Sequence, residues 1–369
     1  MTGVPPYLQP TSGARRHPVD LGASSRPTVS VLVLSYNYGR FLAPCVTSIL
    51  DQDGVNVDVV IVDDASTDDT AEVAERLGRD ERVTVRTNAT NHGQLRSMNE
   101  NVELLRGDYV TKIDADDLLP PGSLRRSCAL FEADPSIGLV YGFPLHFEGE
   151  VPTVPDDAPS SWRVWKGTDW IDALAQTSAS VISQPESLIR RTALQQAGQW
   201  NESLGHTFDL EMWLRLASQW NVGRVVGTVQ GLYRVHPDSL QRTLNAGKVI
   251  DLGGRLDAFE SALGRTDAPA AARNSLSTAR RQLARVALSE AARSIERDRW
   301  DAEEVAELTA IAERADPGCH RSSAWRALQR RLEPPTAARP MLRSYYQGRA
   351  AVRRLDQELA AAHWRRTGV

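Results

Sequence analysis

The chain contains the stretch Tyr109-Val-Thr-Lys-Ile-Asp-Ala-Asp-Asp117, in which a short apolar run ends abruptly in three carboxylates. This pattern predicts a buried strand with acids at its carboxyl end, the edge at which ligands bind in open α/β sheets. Asp114 and Asp116 stand at i and i+2, so they project from the same side of an extended backbone. Such oxygen ligands suit Mg²⁺ or Mn²⁺, with a substrate diphosphate as second partner. The alternative is an acidic turn, because Asp is common in turns.

Composition bounds the class of protein. The chain has 369 residues, a net charge of -4 and a mean hydropathy of -0.37, as expected for a globular protein. Its slightly negative net charge gives no positive electrostatic field that would attract nucleic acid. Its three cysteines, Cys45, Cys128 and Cys319, form no metal spacing and fit a reducing compartment. No apolar run is long enough to span a bilayer, and no signal-peptide layout is visible. We therefore expect a cytoplasmic protein that has no nucleic-acid partner.

The chain divides into three parts by pattern. Residues 1–27 are rich in Pro, Gly, Ser and Arg and predict a disordered tail. Residues 28–245 alternate apolar β-branched runs with helical segments, which predicts a mixed, mostly parallel sheet with helices on both faces. Two separate closing strands are expected at 223–226 and 230–235. Residues 246–369 predict an all-helical C-terminal region, because apolar side chains recur there at helical spacing.

The last fifty residues, 320–369, contain eleven arginines against three acids. A solvated helical face is the favoured interpretation. The alternative is a peripheral contact with anionic lipid headgroups at the inner membrane face, or with a polyanionic partner.

Four motifs occur in order along the chain: Val31-Leu-Val-Leu-Ser-Tyr-Asn37, Val62-Asp-Asp-Ala-Ser-Thr-Asp-Asp-Thr70, Asp114-Ala-Asp-Asp117 and Asp209-Leu-Glu-Met-Trp-Leu-Arg215. Together they resemble the inverting family 2 glycosyltransferases over about residues 28–240. The resemblance implies the Rossmann-like GT-A fold of nucleotide-diphosphosugar transferases. The helical C-terminal region resembles no family that we can name.

The resemblance implies roles for the acids and for one aromatic residue. Tyr36 would pack on the donor's base, and Asp64 would accept a hydrogen bond from a base N–H. Asp114 would contact the ribose or the metal, and Asp116 would be the main metal ligand. Arg234 or His236 would reach the diphosphate or the metal, although a histidine before a proline is more often structural.

Inverting transfer needs a base that takes the proton of the acceptor hydroxyl. The family supplies it from a Glu-Asp pair before Trp-Leu-Arg, and here Phe208 and Asp209 occupy those two positions. Asp209 is therefore the candidate base, with Glu211 in reserve. The alternative is that Asp209 only stabilises the start of a helix through the macrodipole.

A second departure lies at Met98, where the family places a basic residue near the diphosphate. Arg96 lies two residues earlier and faces about 160° away around a helix. The sequence thus shows one missing cation and one missing acid, Met98 and Phe208, at an otherwise matching site.

These observations lead to one preferred function and two alternatives. We expect a metal-dependent inverting glycosyltransferase that moves a sugar from a uridine or thymidine diphosphate sugar to a hydroxyl acceptor. The first alternative is a degenerate domain that serves as a scaffold through its helical region. The second is a sugar-phosphate nucleotidyltransferase, which is discounted because the loop Ser35-Tyr-Asn-Tyr-Gly-Arg40 is a poor triphosphate loop. The oligomeric state, including a homo-oligomer, is left open.

Overall fold

The computed structural model describes residues 13–18, 26–236, 247–295 and 301–332. In these ranges the chain forms one mixed sheet. Its strands are β1 Ala14–Arg16, β2 Thr28–Ser35, β3 Asn56–Asp63, β4 Val83–Thr87, β5 Tyr109–Asp114, β6 Ile137–Phe147, β7 Ser161–Trp165, β8 Leu188–Arg190 and β9 Asn221–Arg234.

The strand order is β1-β7-β9-β6-β8-β5-β2-β3-β4. β2 pairs in parallel with both β3 and β5, and β3 pairs in parallel with β4. β8 joins this half to β6 through two antiparallel pairings, and β6 runs parallel to β9. β7 and β8 therefore run opposite to the other seven strands. The prediction of a mixed, mostly parallel sheet is confirmed.

Helices cover both faces of the sheet, as predicted. They are α1 Gly39–Leu50, α2 Thr70–Leu77, α3 Gln94–Asn101, α4 Ser123–Ala133, α5 Gly167–Thr177, α6 Arg191–Ala197, α7 Phe208–Gln219, α8 Lys248–Leu263, α9 Ala270–Ile295, α10 Ala302–Ala315 and α11 Ser323–Leu332. Alternation along β2 sets the two faces, because successive side chains of a strand point to opposite sides. Val31 belongs to the buried cluster that contains α1, α2 and α4, whereas Leu32 belongs to the cluster that contains α3 and α5 to α11.

Two expectations are corrected by the pairing of strands. The segment expected to be a disordered tail contains β1, which pairs antiparallel with β7 at the sheet edge. The two closing strands are one continuous strand, β9, in which Gly227 has φ +91°. The pairing partner of β9 changes register there, from Tyr141 opposite Arg224 to Phe143 opposite Val229. The strand therefore continues through an irregularity in its pairing with β6, at the point where the sequence predicts a break between two strands.

The C-terminal region is helical in the residues that the structure describes, as predicted. It shares a core with the sheet-bearing part: Leu256, Phe259 and Leu263 of α8 belong to the same buried cluster as Trp170 of α5 and Trp213 of α7. Across the described ranges, no helix is long and apolar enough to cross a membrane. Most of the arginine-rich end, residues 333–369, lies outside the described residues.

We predict that Phe259→Ala lowers the melting temperature of the whole chain in a single transition. Phe259 is fully buried in the shared cluster, and deleting a buried Phe side chain costs about 3 to 5 kcal/mol. Differential scanning calorimetry measures the effect, with Ile250→Ala as control because Ile250 is 46% exposed on the same helix. Two separate transitions, of which Phe259→Ala moves only one, would contradict the shared core.

Candidate active site

The carboxyl ends of β2, β3 and β5 open into a cavity of about 890 Å³. Loops that follow these strands and the start of α7 form its walls. Its chemically active lining residues are Tyr36, Asp64, Gln94, Lys112, Asp114, Asp116, Asp117, Ser183, Gln184, His206, Phe208 and Asp209. The cavity therefore combines most of the residues singled out from sequence.

One end of the cavity is built by two cross-linked loops. Asn37 has φ +59°, and its side-chain oxygen accepts a hydrogen bond from the Thr67 backbone N–H at 2.8 Å. In return, the Asn37 N–H donates to Ser66 Oγ at 2.9 Å. These contacts hold the loop after β2 against the loop after β3. Tyr36 precedes Asn37 in the first of these loops, lines the cavity and is 46% exposed, so it is accessible to a ligand.

Asp64 lies at the same end and is held by many donors. Its Oδ1 accepts from Asn88 Nδ2, the His92 N–H and Ser97 Oγ, at 2.7, 2.9 and 2.8 Å, and its Oδ2 accepts from the Gly93 N–H at 2.8 Å. Burial opposes ionisation, but these hydrogen bonds outweigh it and lower the pKa of Asp64. A carboxylate oxygen accepts more than one hydrogen bond, so Oδ2 keeps capacity for a ligand donor.

Asp114 is engaged at both oxygens. Gln94 Nε2 donates to Oδ1 at 2.7 Å, and the ammonium of Lys112 lies 2.9 Å from Oδ2. Lys112 precedes Asp114 by two residues on β5, so both side chains leave the same face. Burial alone would lower the pKa of Lys112, but the charges of Asp114 and Asp209 outweigh it and raise that pKa.

Asp116 is held from the closing segment of the sheet. His236 Nε2 lies 2.9 Å from Asp116 Oδ2, and the Arg234 guanidinium donates to the Asp116 carbonyl at 2.9 Å and to the Gly149 carbonyl at 3.0 Å. Arg234 also lies over the rings of Phe41 and Phe147. Arg234 is not among the residues that line the cavity, and its contact with the diphosphate stays a prediction. His236 touches Asp116 directly and stays a prediction as a metal ligand.

The acids at this edge have the chemistry of a divalent cation site. Burial and the charge of Asp114 raise the pKa of Asp116, and a cation between the two carboxylates would relieve that repulsion. Among the described residues, no group of three or more His, Cys, Asp and Glu side chains is arranged to hold a metal alone. A metal would therefore need substrate and water oxygens, as Mg²⁺ does in many phosphate sites.

Asp209 faces the cavity from the first turn of α7 and is partly exposed. Its Oδ1 is nevertheless buried and has no hydrogen-bond partner. Burial raises the pKa of Asp209 to about 7, against the opposing charge of Lys112. The reserve candidate, Glu211, is turned away from the cavity: its carboxylate accepts from Arg215 at 2.9 Å and from Ser261 at 3.2 Å.

The departure from the family pattern at Met98 has a clear structural consequence. Met98 is fully buried in the core, and Arg96 is an exposed side chain that donates to Glu100 at 2.8 Å, so neither enters the cavity. Sequence reasoning missed Lys112 and Gln94 as partners of Asp114. Lys112 carried a signal, since a lysine inside an otherwise buried strand needs an anionic partner.

Comparisons with known proteins find relatives for part of the chain. The family model described as Glycosyl transferase family 2 matches residues 30–198. The resemblance of the motifs to this family is therefore confirmed over that segment. Glycosyltransferase GlyG of Streptococcus pneumoniae serotype 4 (strain ATCC BAA-334 / TIGR4) is 32% identical over 119 residues, which are 31% of this chain and 40% of that protein. The first curated relatives are matched over only 26% to 40% of their own lengths.

Two solved structures share the fold. Mannosyltransferase PcManGT from Pyrobaculum calidifontis, in complex with GDP-Man and Mn²⁺, has a TM-score of 0.56 and 19% identity, covering 96% of this chain and 90% of that one. TarS residues 1–349 of S. aureus, in complex with UDP-GlcNAc, has a TM-score of 0.60 and 17% identity, covering 87% and 92%. These likenesses confirm the GT-A fold predicted from the motifs.

We predict that the stabilising effect of Asp209→Asn grows as the pH rises from 5 to 8. The folded-state pKa of about 7 lies above the ordinary value for Asp, so the folded chain binds a proton that the unfolded chain has released. Stability of the wild type therefore falls through this pH window, and the neutral Asn removes that dependence. Melting temperatures across the window test this, with the exposed Asp51→Asn as control. A constant difference between variant and wild type would contradict it.

Proposed function

We propose that this chain is a metal-dependent inverting glycosyltransferase that moves a sugar from a nucleoside-diphosphate sugar to a hydroxyl acceptor. One observation carries the proposal: the partly exposed acid Asp209, with a raised pKa, lines the same cavity as Asp114 and Asp116. One carboxylate able to take a proton near neutral pH and two others at a strand end are the groups that this transfer requires.

The nucleoside of the donor binds at the Tyr36 end of the cavity. Tyr36 packs on the base, and Asp64 accepts a base N–H through the remaining capacity of Oδ2. The hydrogen bonds that lower the pKa of Asp64 keep it an acceptor. A uracil or thymine base has such an N–H, so we propose a uridine or thymidine diphosphate donor.

Asp116 and Asp114 would hold Mn²⁺ or Mg²⁺ beside the diphosphate, with His236 as a further candidate ligand. The cation would neutralise negative charge that grows on the departing nucleoside diphosphate. The contact between His236 and Asp116 orients the Asp116 carboxylate toward this role.

Asp209 is the base. It takes the proton of the acceptor hydroxyl while the acceptor oxygen forms a bond to the anomeric carbon. The bond from that carbon to the diphosphate oxygen breaks, and the diphosphate leaves with the electron pair. Because only the ionised carboxylate accepts the proton, the rate rises with pH up to the pKa of about 7.

We predict that Mn²⁺ or Mg²⁺ raises the melting temperature of the chain only together with a matching nucleoside diphosphate, and that Asp116→Ala abolishes this effect. A ligand that binds only the folded state stabilises it by linkage. A thermal-shift panel of uridine, thymidine and guanosine diphosphates, with and without metal, measures the effect. Asp53→Ala is the control, since Asp53 is exposed and does not line the cavity.

Unchanged metal-supported binding by Asp116→Ala, measured by calorimetry, would remove Asp116 as the ligand. No shift of the wild type with any nucleotide would favour the degenerate scaffold, for which Phe208 in place of the family's acid is the supporting observation.

We further predict that Asp209→Asn keeps donor binding within about twofold but lowers turnover by at least about a hundredfold, the contribution expected of a general base. Donor affinity is measured by calorimetry, and transfer by release of the nucleoside diphosphate. Glu211→Gln is the matched control, because Glu211 lies on the same helix with its carboxylate bonded to Arg215. Near-normal turnover by Asp209→Asn would exclude it as base.

A further inference from the structure

Two substitutions relative to the family pattern change the charge of the donor cavity in opposite senses. Met98 stands where the resemblance implies a cation near the diphosphate, and it is fully buried in the core. Phe208 stands where the resemblance implies an acid, and its side chain lines the cavity. Compared with the family pattern, the chain therefore has one positive and one negative group fewer at these positions.

Lys112 is a cation that lines the same cavity and lies close to Phe208. Its side chain is only 3% exposed, and it lines the cavity floor. The ammonium lies 5.8 Å from the centre of the Phe208 ring and 2.9 Å from Asp114 Oδ2. An acid at position 208 would compete for this ammonium, whereas the ring of Phe208 offers it only a weak cation–π contact.

The Lys112 ammonium has more hydrogen-bond donors than its contact with Asp114 uses. A lysine has three N–H donors, and within the described part of the chain Asp114 is the hydrogen-bond acceptor of Nζ. Two donors are therefore left for a ligand at a nearly buried position. Donors without partners are costly when buried, so an anion in the cavity would gain a strong, charge-assisted contact there.

We propose that Lys112 binds the diphosphate of the donor and replaces the basic residue that the family places at position 98. This inference rests on the proposed function, since it names a further contact of the same donor site. When the Lys112 ammonium donates to phosphate oxygens, Asp114 still accepts a hydrogen bond from Gln94.

The test compares nucleoside diphosphates with their nucleosides, because only the former carry the group that Lys112 would bind. Uridine, thymidine and guanosine, with and without diphosphate, are titrated by calorimetry against the full chain in EDTA, so that metal does not contribute. We expect Lys112→Met to weaken diphosphate binding at least tenfold and nucleoside binding less than twofold. Lys112→Gln should behave alike, which separates loss of charge from loss of packing.

Arg96→Met is the matched control, since Arg96 is an exposed cation nearby in sequence, and both affinities should stay within twofold. Equal weakening of diphosphate and nucleoside in both Lys112 variants would overturn the proposal, because Lys112 would then only shape the pocket. Unchanged diphosphate binding with lowered turnover would also overturn it and assign Lys112 to positioning Asp209. A wild type that binds the nucleosides but gains nothing from the diphosphate rejects Lys112 alone. A wild type that binds neither ligand in EDTA or in Mn²⁺ rejects the proposed function as well.

Discussion

Parallel pairing of β2 with β3 and β5 is the constraint on which the site depends. The register places Ser35 opposite Asp63 and Leu34 opposite Asp114. Pairing continues one step beyond the strands, because the Asp64 N–H donates to the Ser35 carbonyl at 2.9 Å. A shift by one residue would turn the buried side chains of β2 to the wrong face, so the core fixes the register. The same packing thereby brings the acids that follow β3 and β5 to one edge.

Carboxylates that lie close together at one edge of the sheet repel each other electrostatically. Each of these acids has a different set of partners. Asp64 accepts four hydrogen bonds, Asp114 contacts an ammonium and an amide, and Asp116 contacts an imidazole. Asp209 alone of these lacks a hydrogen-bond partner at a buried oxygen. The resulting pKa values move apart, downward for Asp64 and upward for Asp209, which is how similar side chains take on different roles in one site.

The sequence predicted what local pattern controls and missed what distant contacts control. The β-branched runs of β2, β3 and β5 and the acids that follow them are sufficient to predict a parallel sheet with a site at its edge. β1 has only three residues and no apolar pattern, so only its pairing with β7 reveals it. Arg234 was expected at the diphosphate on the basis of resemblance. Its guanidinium also donates to the carbonyls of Asp116 and Gly149, which are more than eighty residues away and which no local pattern indicates.

The C-terminal helices contact the start of α7, which carries the proposed base, Asp209. Thr207, which precedes α7, donates through Oγ1 to the Gly254 carbonyl of α8 at 2.9 Å. A Cβ at Gly254 would lie 3.0 Å from the Thr207 methyl carbon, so the approach of the two segments relies on a glycine. Ser261 of α8 links Asn201 to Glu211 by hydrogen bonds of 3.0 and 3.2 Å. The start of α7, and with it Asp209, is thus held by helices that lie outside the family match. Since the position of a base within a fraction of an ångström governs proton transfer, the helical region is part of the structure that positions Asp209.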